Sequence, residues 1–445
     1  MVNDLKQLLR DNVADAPTDH LDTASLVAAG RRRVRVRRTR AAGGTALLAA
    51  GVVTVALLGG GPAGREKAEP AHQPPRPDAP TLRLADAQQA VEERDYEVLT
   101  SHTNKDLDAD NGQYLDGVTD DGLVLFRDGP RSDQLYPRFA LLDPSTGAKD
   151  WLPDLAGIGQ DQTWPVDLGT DRLVLLSLEN GLPGAMRAHV FDRASRQWTT
   201  LTWSGLPGVE FPRAVAGPDD RLYVSVPATQ GTPPEGGWPT GPDGEADDAD
   251  AEGDTYDLWS VSMTDTSDVR DEHLTVGELA FTDTKMVWSD SGNGAAGRFH
   301  VRDLATGVET SFDPHLGDKC NLLGFGATGD RIVASEYCGT YDGGVRDDRV
   351  QILSTDGEQV VTIQDSGAEG YLPPGGGVVV VTAFRGDQDT QSGAYVYDLA
   401  TNRFLRISDA VSNYGTGGAP GDQFFWHTPV NHRHGATQWL GKLLR

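Results

Sequence analysis

Cysteine is nearly absent from this sequence: only Cys320 and Cys338 occur in 445 residues. Neither follows the one long uncharged run near the N-terminus, which excludes a lipid-anchored cysteine there. No G-x-S-x-G, H-E-x-x-H or phosphate-loop pattern appears, nor a dinucleotide fingerprint of the strand–glycines–helix kind. The Ser-x-Asp-x-Gly-x-x-Trp box of sialidases is missing too, since "STDGEQVV" (354–361) fails at the Gly and Trp positions. Positive charge is scarce over most of the chain. Residues 1–60 carry nine Lys/Arg against five Asp, while the whole protein has a formal charge of −27, so the remainder sits near −31. That balance argues against nucleic acid or an anionic membrane surface as the main partner of the acidic part.

What is present divides the chain into four parts. Residues 1–40 form a basic tail that ends in "RRRVRVRRTR", seven Arg in ten residues. Within it Leu5, Leu8, Leu9 and Val13 mark a short amphipathic helix broken at Pro17. The 24 uncharged residues of 41–64 are long enough for a transmembrane helix, at about 1.5 Å per residue against a core of about 30 Å. The arginines before that run predict a cytoplasmic N-terminus and an extracytoplasmic C-terminal bulk, in a single-pass cell-membrane protein. Residues 65–93 read as a Pro-rich stalk followed by a short helix over 85–95. Residues 94–445 form the fourth part.

There a pattern recurs. "DGLVLF", "DRLVLLSL", "DRLYVSV", "TKMVWSD", "DRIVASEY" and "GGGVVVVTAF" each read as an inner strand entered from a Gly/Asp turn. Each is followed by a loop and a second strand ending in a tight turn, as in "VRDLATG" (301–307) and "VYDLATN" (396–402). The first Asp of such a turn can bond backbone amides, and its Gly or Asn tolerates a left-handed conformation. The turns fall near 143, 192, 263, 303, 354 and 398. The one long interval holds an acidic low-complexity insertion, 228–254, which reads as a solvated loop.

About 44 residues and four strands per repeat define a β-propeller. The chain over 94–445 resembles the WD40-like, TolB-like and quinoprotein-like propellers, and its tail resembles those of actinobacterial single-pass membrane proteins. One turn, Asp143 to Trp151, matches the D-x-x-T-G-x-x-x-W element of quinoprotein repeats; the others lack that Trp. The fold class expected is all-β, with about seven four-stranded blades (six or eight as alternatives) after one transmembrane helix. The seventh blade, at the C-terminus, lacks an outer strand, which "RDYEVLT" (94–100) can supply and so close the ring.

Cys320 and Cys338 flank a hairpin turning at Thr328-Gly329-Asp330, equidistant from Gly329, so their side chains should meet and form a disulfide. Asp106, Asp108 and Asp110 have the spacing that opens a calcium loop, but the Gly comes one place late and position 12 is Gly117; otherwise no cofactor is expected. No catalytic or metal-ligating set emerges, although His427, His432 and His434 share one loop. The loops between the second and third strands of each blade are long and open on one rim, where recognition concentrates. Binding candidates on them are Arg127, Asp128, Arg131, Trp238, Tyr341, Asp342, Arg346, Arg385, Asp387 and His432. The function expected is a binding or scaffold module for a protein, peptide or cell-envelope ligand. The alternatives are an envelope hydrolase or lyase on a propeller scaffold, or the sensor domain of a signalling protein.

Overall fold

The computed structural model describes residues 79–445 apart from 106–111, 130–135, 156–162, 179–183, 210–212, 235–236, 240–246, 316, 342–344, 385–390, 413–416 and 432–434. The tail, the uncharged run 41–64, most of the stalk and the calcium-like triad Asp106, Asp108 and Asp110 lie outside these residues. Among the described residues no helix is long and apolar enough to cross a membrane.

Seven antiparallel sheets follow one another along the chain, each ordered from its inner to its outer strand. They are the blades of a seven-bladed β-propeller. Blade 1 is Gln113–Val118, Val124–Asp128, Arg138–Leu142 and Lys149–Trp151. Blades 2 to 6 repeat this order, starting at Trp164, Ala214, Leu279, Asn321 and Ala368. Blade 7 pairs Gln423–Asn431 with Gly435–Leu443, and Gly435–Leu443 with Tyr96–Asn104 from the start of the domain. The N-terminal strand therefore closes the ring, as the missing outer strand required.

The buried apolar residues fall into seven clusters, one for each blade-to-blade interface. In blade 2 the strand Arg172–Leu178 turns Val174 and Leu176 toward blade 3, while Leu173 and Leu175 face blade 1. Both faces are buried, which is why such strands read as continuous apolar runs. These runs are the second strands of their blades, not the innermost ones. The true inner strands line the axis and lack a fully apolar face; Trp164–Leu168 and Ala214–Ala216 are half-buried throughout, so no hydrophobic pattern announces them.

The Asp-Leu-Ala-Thr echo is the turn between third and fourth strands. Asp303 Oδ1 accepts from the Thr306 amide at 2.8 Å, and Gly307 takes φ 71°. Asp398 accepts from the Ala400 amide at 3.0 Å, and Asn402 takes φ 57°.

The helix expected over 85–95 does not form. Instead Thr81–Leu82 adds a parallel fifth strand to blade 5, Leu84–Asp86 makes one 3₁₀ turn, and Gln88–Gln89 adds a parallel fifth strand to blade 6. Leu84 is 1% exposed, in the core between those blades. Edge pairing with two waiting outer strands thus overrides the local helical tendency of "ADAQQAVEERD". The chain then continues into the closing strand of blade 7.

Two stretches have bare G-x-G-x-x-G spacing, Gly292 to Gly297 and Gly324 to Gly329. The first is a loop and the second a strand entering a hairpin, so neither cradles a phosphate at a helix N-terminus.

Candidate functional site

The disulfide is present: Cys320 and Cys338 are bonded at 2.04 Å, with Cα atoms 4.1 Å apart. The hairpin turn is the two-residue Gly329-Asp330, so pairing starts at Thr328 with Arg331. A bulge between Leu322 and Gly324 then shifts the register by one, to Asn321 with Tyr337. That bulge brings Cys320 opposite Cys338. The bridge staples the inner strand of blade 5 to its neighbour at the loop-rich rim.

On this rim the acidic insertion is a packed element for part of its length, contrary to the solvated loop expected. Asp254 anchors its base: the backbones of Asp254 and Gly292 exchange two hydrogen bonds, of 2.7 and 3.0 Å. The Asp254 carboxylate accepts from the Gly231 amide and from Asn293 Nδ2. Buried Ala251 accepts from the Ala295 amide at 2.9 Å. Blade 4's loop is in turn bonded to blade 5, through Ala296 N–H to Cys320 O and Leu322 N–H to Gly294 O. The insertion of blade 3 therefore leans across blade 4 onto blade 5.

Its far contact is a cluster of aromatic and charged groups. The Tyr337 hydroxyl donates to Asp247 Oδ1 at 3.0 Å and lies 2.7 Å from Thr340 Oγ1. The Arg346 guanidinium sits over the Tyr337 ring, 3.9 Å from its centroid, and its Nε is 3.1 Å from Asp348 Oδ2. Such a desolvated cation–π contact contributes about 1–2 kcal/mol. Asp348 also accepts from the Gly367 amide at 2.6 Å. Asn321 stands close enough to Asp248 to favour its charged form. Burial pushes the Asp248 and Asp348 carboxyls up, with Arg346 pulling the other way. Burial also pushes the Tyr337 phenol up, so it stays protonated.

Nearer the axis Arg213 pairs with Glu278 across the blade 3–4 interface, and its guanidinium lies 4.4 Å from the Tyr256 ring centroid. Burial works against the Arg213 charge, but Glu278 and Tyr256 more than offset it.

Of the candidates from sequence, Arg346 belongs to this cluster, and Trp238 is half-buried on the insertion. Arg127 and Asp128 turn toward the inner strand of their own blade. Arg127 binds Asp116 through Nε at 2.6 Å and Nη2 at 3.2 Å, over the Tyr114 ring, and buried Asp128 accepts from Gln113 at 2.9 Å. Tyr341 ends its strand, pairing with Val345. Arg131, Asp342, Arg385, Asp387 and His432 lie outside the described residues. Sequence reasoning missed Tyr337, Asp247, Asp248, Asn321 and Asp348. Tyr337 sits next to a cysteine already placed in the hairpin, and that adjacency was the available signal.

A cavity of about 360 Å³ lies on the opposite rim, between the Asp303–Val308 turn and Thr355-Asp356. Among its lining groups Lys285 is engaged with Thr355 and Asp303 with Thr306.

No family model matches the sequence, and no curated protein is detectably similar to it. Solved propeller structures are similar in chain path. The β-propeller domain of the Trilobed protease from Pyrococcus furiosus is 10% identical over 68% of this chain and 85% of that one, with a TM-score of 0.42. YCF48 bound to D1 peptide is 9% identical over 79% and 99%, with a TM-score of 0.42. A prolyl endopeptidase is 16% identical over 67% of this chain, with a TM-score of 0.43, and the match spans 41% of the enzyme's length. At these identities and TM-scores the matches carry no argument, and the seven-bladed assignment rests on the sheet order described above.

Proposed function

We propose that this chain is a binding module whose propeller recognises a protein, peptide or cell-envelope ligand through the loop-rich rim of blades 3 to 5. In this reading one helix over residues 41–64 holds it at the cell membrane, with the basic tail in the cytoplasm and the propeller outside. The observation that carries the reading is the way the insertion of blade 3 is fixed across blades 4 and 5, at a Tyr337–Arg346 stack locked by Thr340, Asp247 and Asp348 beside a disulfide. Tyr337 is 1% exposed and supports the rim from beneath, and a rim fixed before binding has little entropy left to lose. Catalysis is less well served by this cluster. Its phenol is held protonated and its guanidinium is committed to a carboxylate, whereas a general acid or base needs a pKa near the working pH.

The test is site-specific photocrosslinking with the full chain in its native cells. The photoreactive residue replaces Trp238 or Asp250 on the proposed rim, or Ser145 or Thr306 on the opposite one. Adducts from Trp238 or Asp250 alone are expected. Adducts only from Ser145 or Thr306, or from no position, overturn the reading.

A further inference from the structure

Around the disulfide of blade 5 stands a set of metal-ligand side chains. The Cys320 sulfur, an imidazole nitrogen of His315 and a carboxylate oxygen of Glu336 lie within 4.8 Å of one another, and all three residues are buried. Cys338 is two residues on from Glu336 in the strand Arg331–Tyr341, and the bridge places its sulfur 2.04 Å from that of Cys320. His315 and Cys320 come from the connector between blade 4 and blade 5. While the bridge is closed the Cys320 sulfur is not a ligand, and His315 Nε2 and Glu336 Oε1 bond each other at 2.5 Å. Opening the bridge changes the donor set to two thiolates, one imidazole and one carboxylate. That number and mixture suits a closed tetrahedral zinc site.

We propose that blade 5 is a redox-gated metal site, binding one zinc-class divalent cation through Cys320, Cys338, His315 and Glu336 when the bridge is reduced. One outer partner of such a site is in place: Gln351 Nε2 donates to Glu336 Oε2 at 2.6 Å. A partner of this kind orients a ligating carboxylate. Asp313 Oδ1 accepts from the His315 backbone amide at 2.8 Å and lies 3.8 Å from His315 Nδ1, beyond hydrogen-bond reach. Two thiolates and a carboxylate around a divalent cation leave one negative charge, and the field of Arg349 reaches His315 to offset it. His315 Nε2 and Glu336 Oε1 need to separate from 2.5 Å to roughly 3.3 Å, and the two sulfurs from 2.04 Å to roughly 3.7 Å, at zinc's ligand distances.

The gating step balances with a dithiol as reductant. One of its thiolates attacks Cys338, the more exposed sulfur, and Cys320 leaves as a thiolate. The second thiol of the reductant then displaces Cys338, so two electrons pass to the bridge and the reductant ends as its own disulfide. Cation binding releases the two thiol protons. The same strands are thereby held together by a covalent bond in oxidising surroundings and by a metal in reducing ones.

The test is titration of the full chain with Co²⁺, a spectroscopic stand-in for Zn²⁺, before and after reduction by a phosphine that does not bind metals. The reduced chain should take up one ion with a thiolate-to-cobalt charge-transfer band, displaced by Zn²⁺, and the oxidised chain should show none. Cys338→Ser, which frees Cys320 without a reductant, should keep about half the band. His315→Ala and Glu336→Gln in the reduced chain should each weaken binding at least tenfold. If reduction alone melts blade 5 by near-ultraviolet circular dichroism, Zn²⁺ present during reduction should keep it folded. Absence of a band after reduction, binding indifferent to both variants, or melting despite Zn²⁺ overturns the proposal.

Discussion

The side-chain amide of Gln438 in blade 7 behaves as a peptide group toward Leu115 in blade 1. Its Oε1 accepts from the Leu115 N–H at 2.9 Å, and its Nε2 donates to the Leu115 carbonyl at 3.3 Å. Gln438 is fully buried, so this pair is a bridge across the seam where the ring closes. Gln438→Leu keeps the volume and leaves both Leu115 groups without these partners. It should cost about 2–6 kcal/mol, at roughly 1–3 kcal/mol for each of the two orphaned groups. Urea unfolding should show a lower midpoint with an unchanged slope, and a loss under 1 kcal/mol would show that the seam does not depend on this amide.

Tyr337→Phe removes the hydroxyl that donates to Asp247 and leaves the ring under Arg346 in place. Stability should fall by about 1 kcal/mol. The larger effect should be local, with limited proteolysis within 228–254 accelerating several-fold because the insertion loses its far anchor. Unchanged cleavage would mean that the contacts at Asp254 and Ala251 suffice to hold the insertion.

The charge of His315 makes stability depend on pH. Burial works against that charge, but Glu336 more than offsets it, so the folded-state pKa is raised. The folded state thus holds the proton to higher pH than the unfolded chain. The contribution is complete below the unfolded value of about 6.5 and disappears as pH rises through the folded value. The oxidised wild type should therefore lose more stability between pH 6 and 8.5 than Glu336→Gln does. Equal slopes in denaturant midpoint against pH would contradict the assignment.

Leu84 tests whether the N-terminal strap belongs to the fold. It is 1% exposed between blades 5 and 6, and the neighbouring Arg83 Nη1 donates to the Gln364 carbonyl at 2.9 Å. Leu84→Ala should cost about 2–4 kcal/mol, as for a buried leucine whose site collapses only partly. A surface-like cost under 0.5 kcal/mol would show that the strap adds nothing to the blades.

The repeat was legible in the chain because the second strands of the blades are buried on both faces and end in Asp-anchored turns. "DRLVLLSL" and "VRDLATG" carry their strand and turn chemistry within a few residues, and Tyr96–Asn104 was recoverable as the closing strand because the last blade was one short. The site was less legible. Tyr337, Asp247 and Asn321 come from a strand, an insertion and an inner-strand start, far apart in the chain. No local periodicity links them, and Arg346 was recovered only through an expected long loop over 338–349, most of which is strand: Arg346 lies in Val345–Ser354.

Composition, spacing and turn chemistry by themselves determined an acidic, all-β ring of six to eight blades, closed by its own N-terminal strand and stapled at Cys320 and Cys338; the sheet order set the number at seven. Those are properties of short segments repeated, so local pattern carries them. Tertiary structure alone decided that Thr81–Leu82 and Gln88–Gln89 become edge strands where a helix over 85–95 was expected, that residues 247–254 pack, and that Arg127 faces Asp116 instead of a ligand. In each case a partner distant in sequence offers more buried area or a better hydrogen bond than the local preference supplies, and that partner becomes visible only when the blades stand side by side.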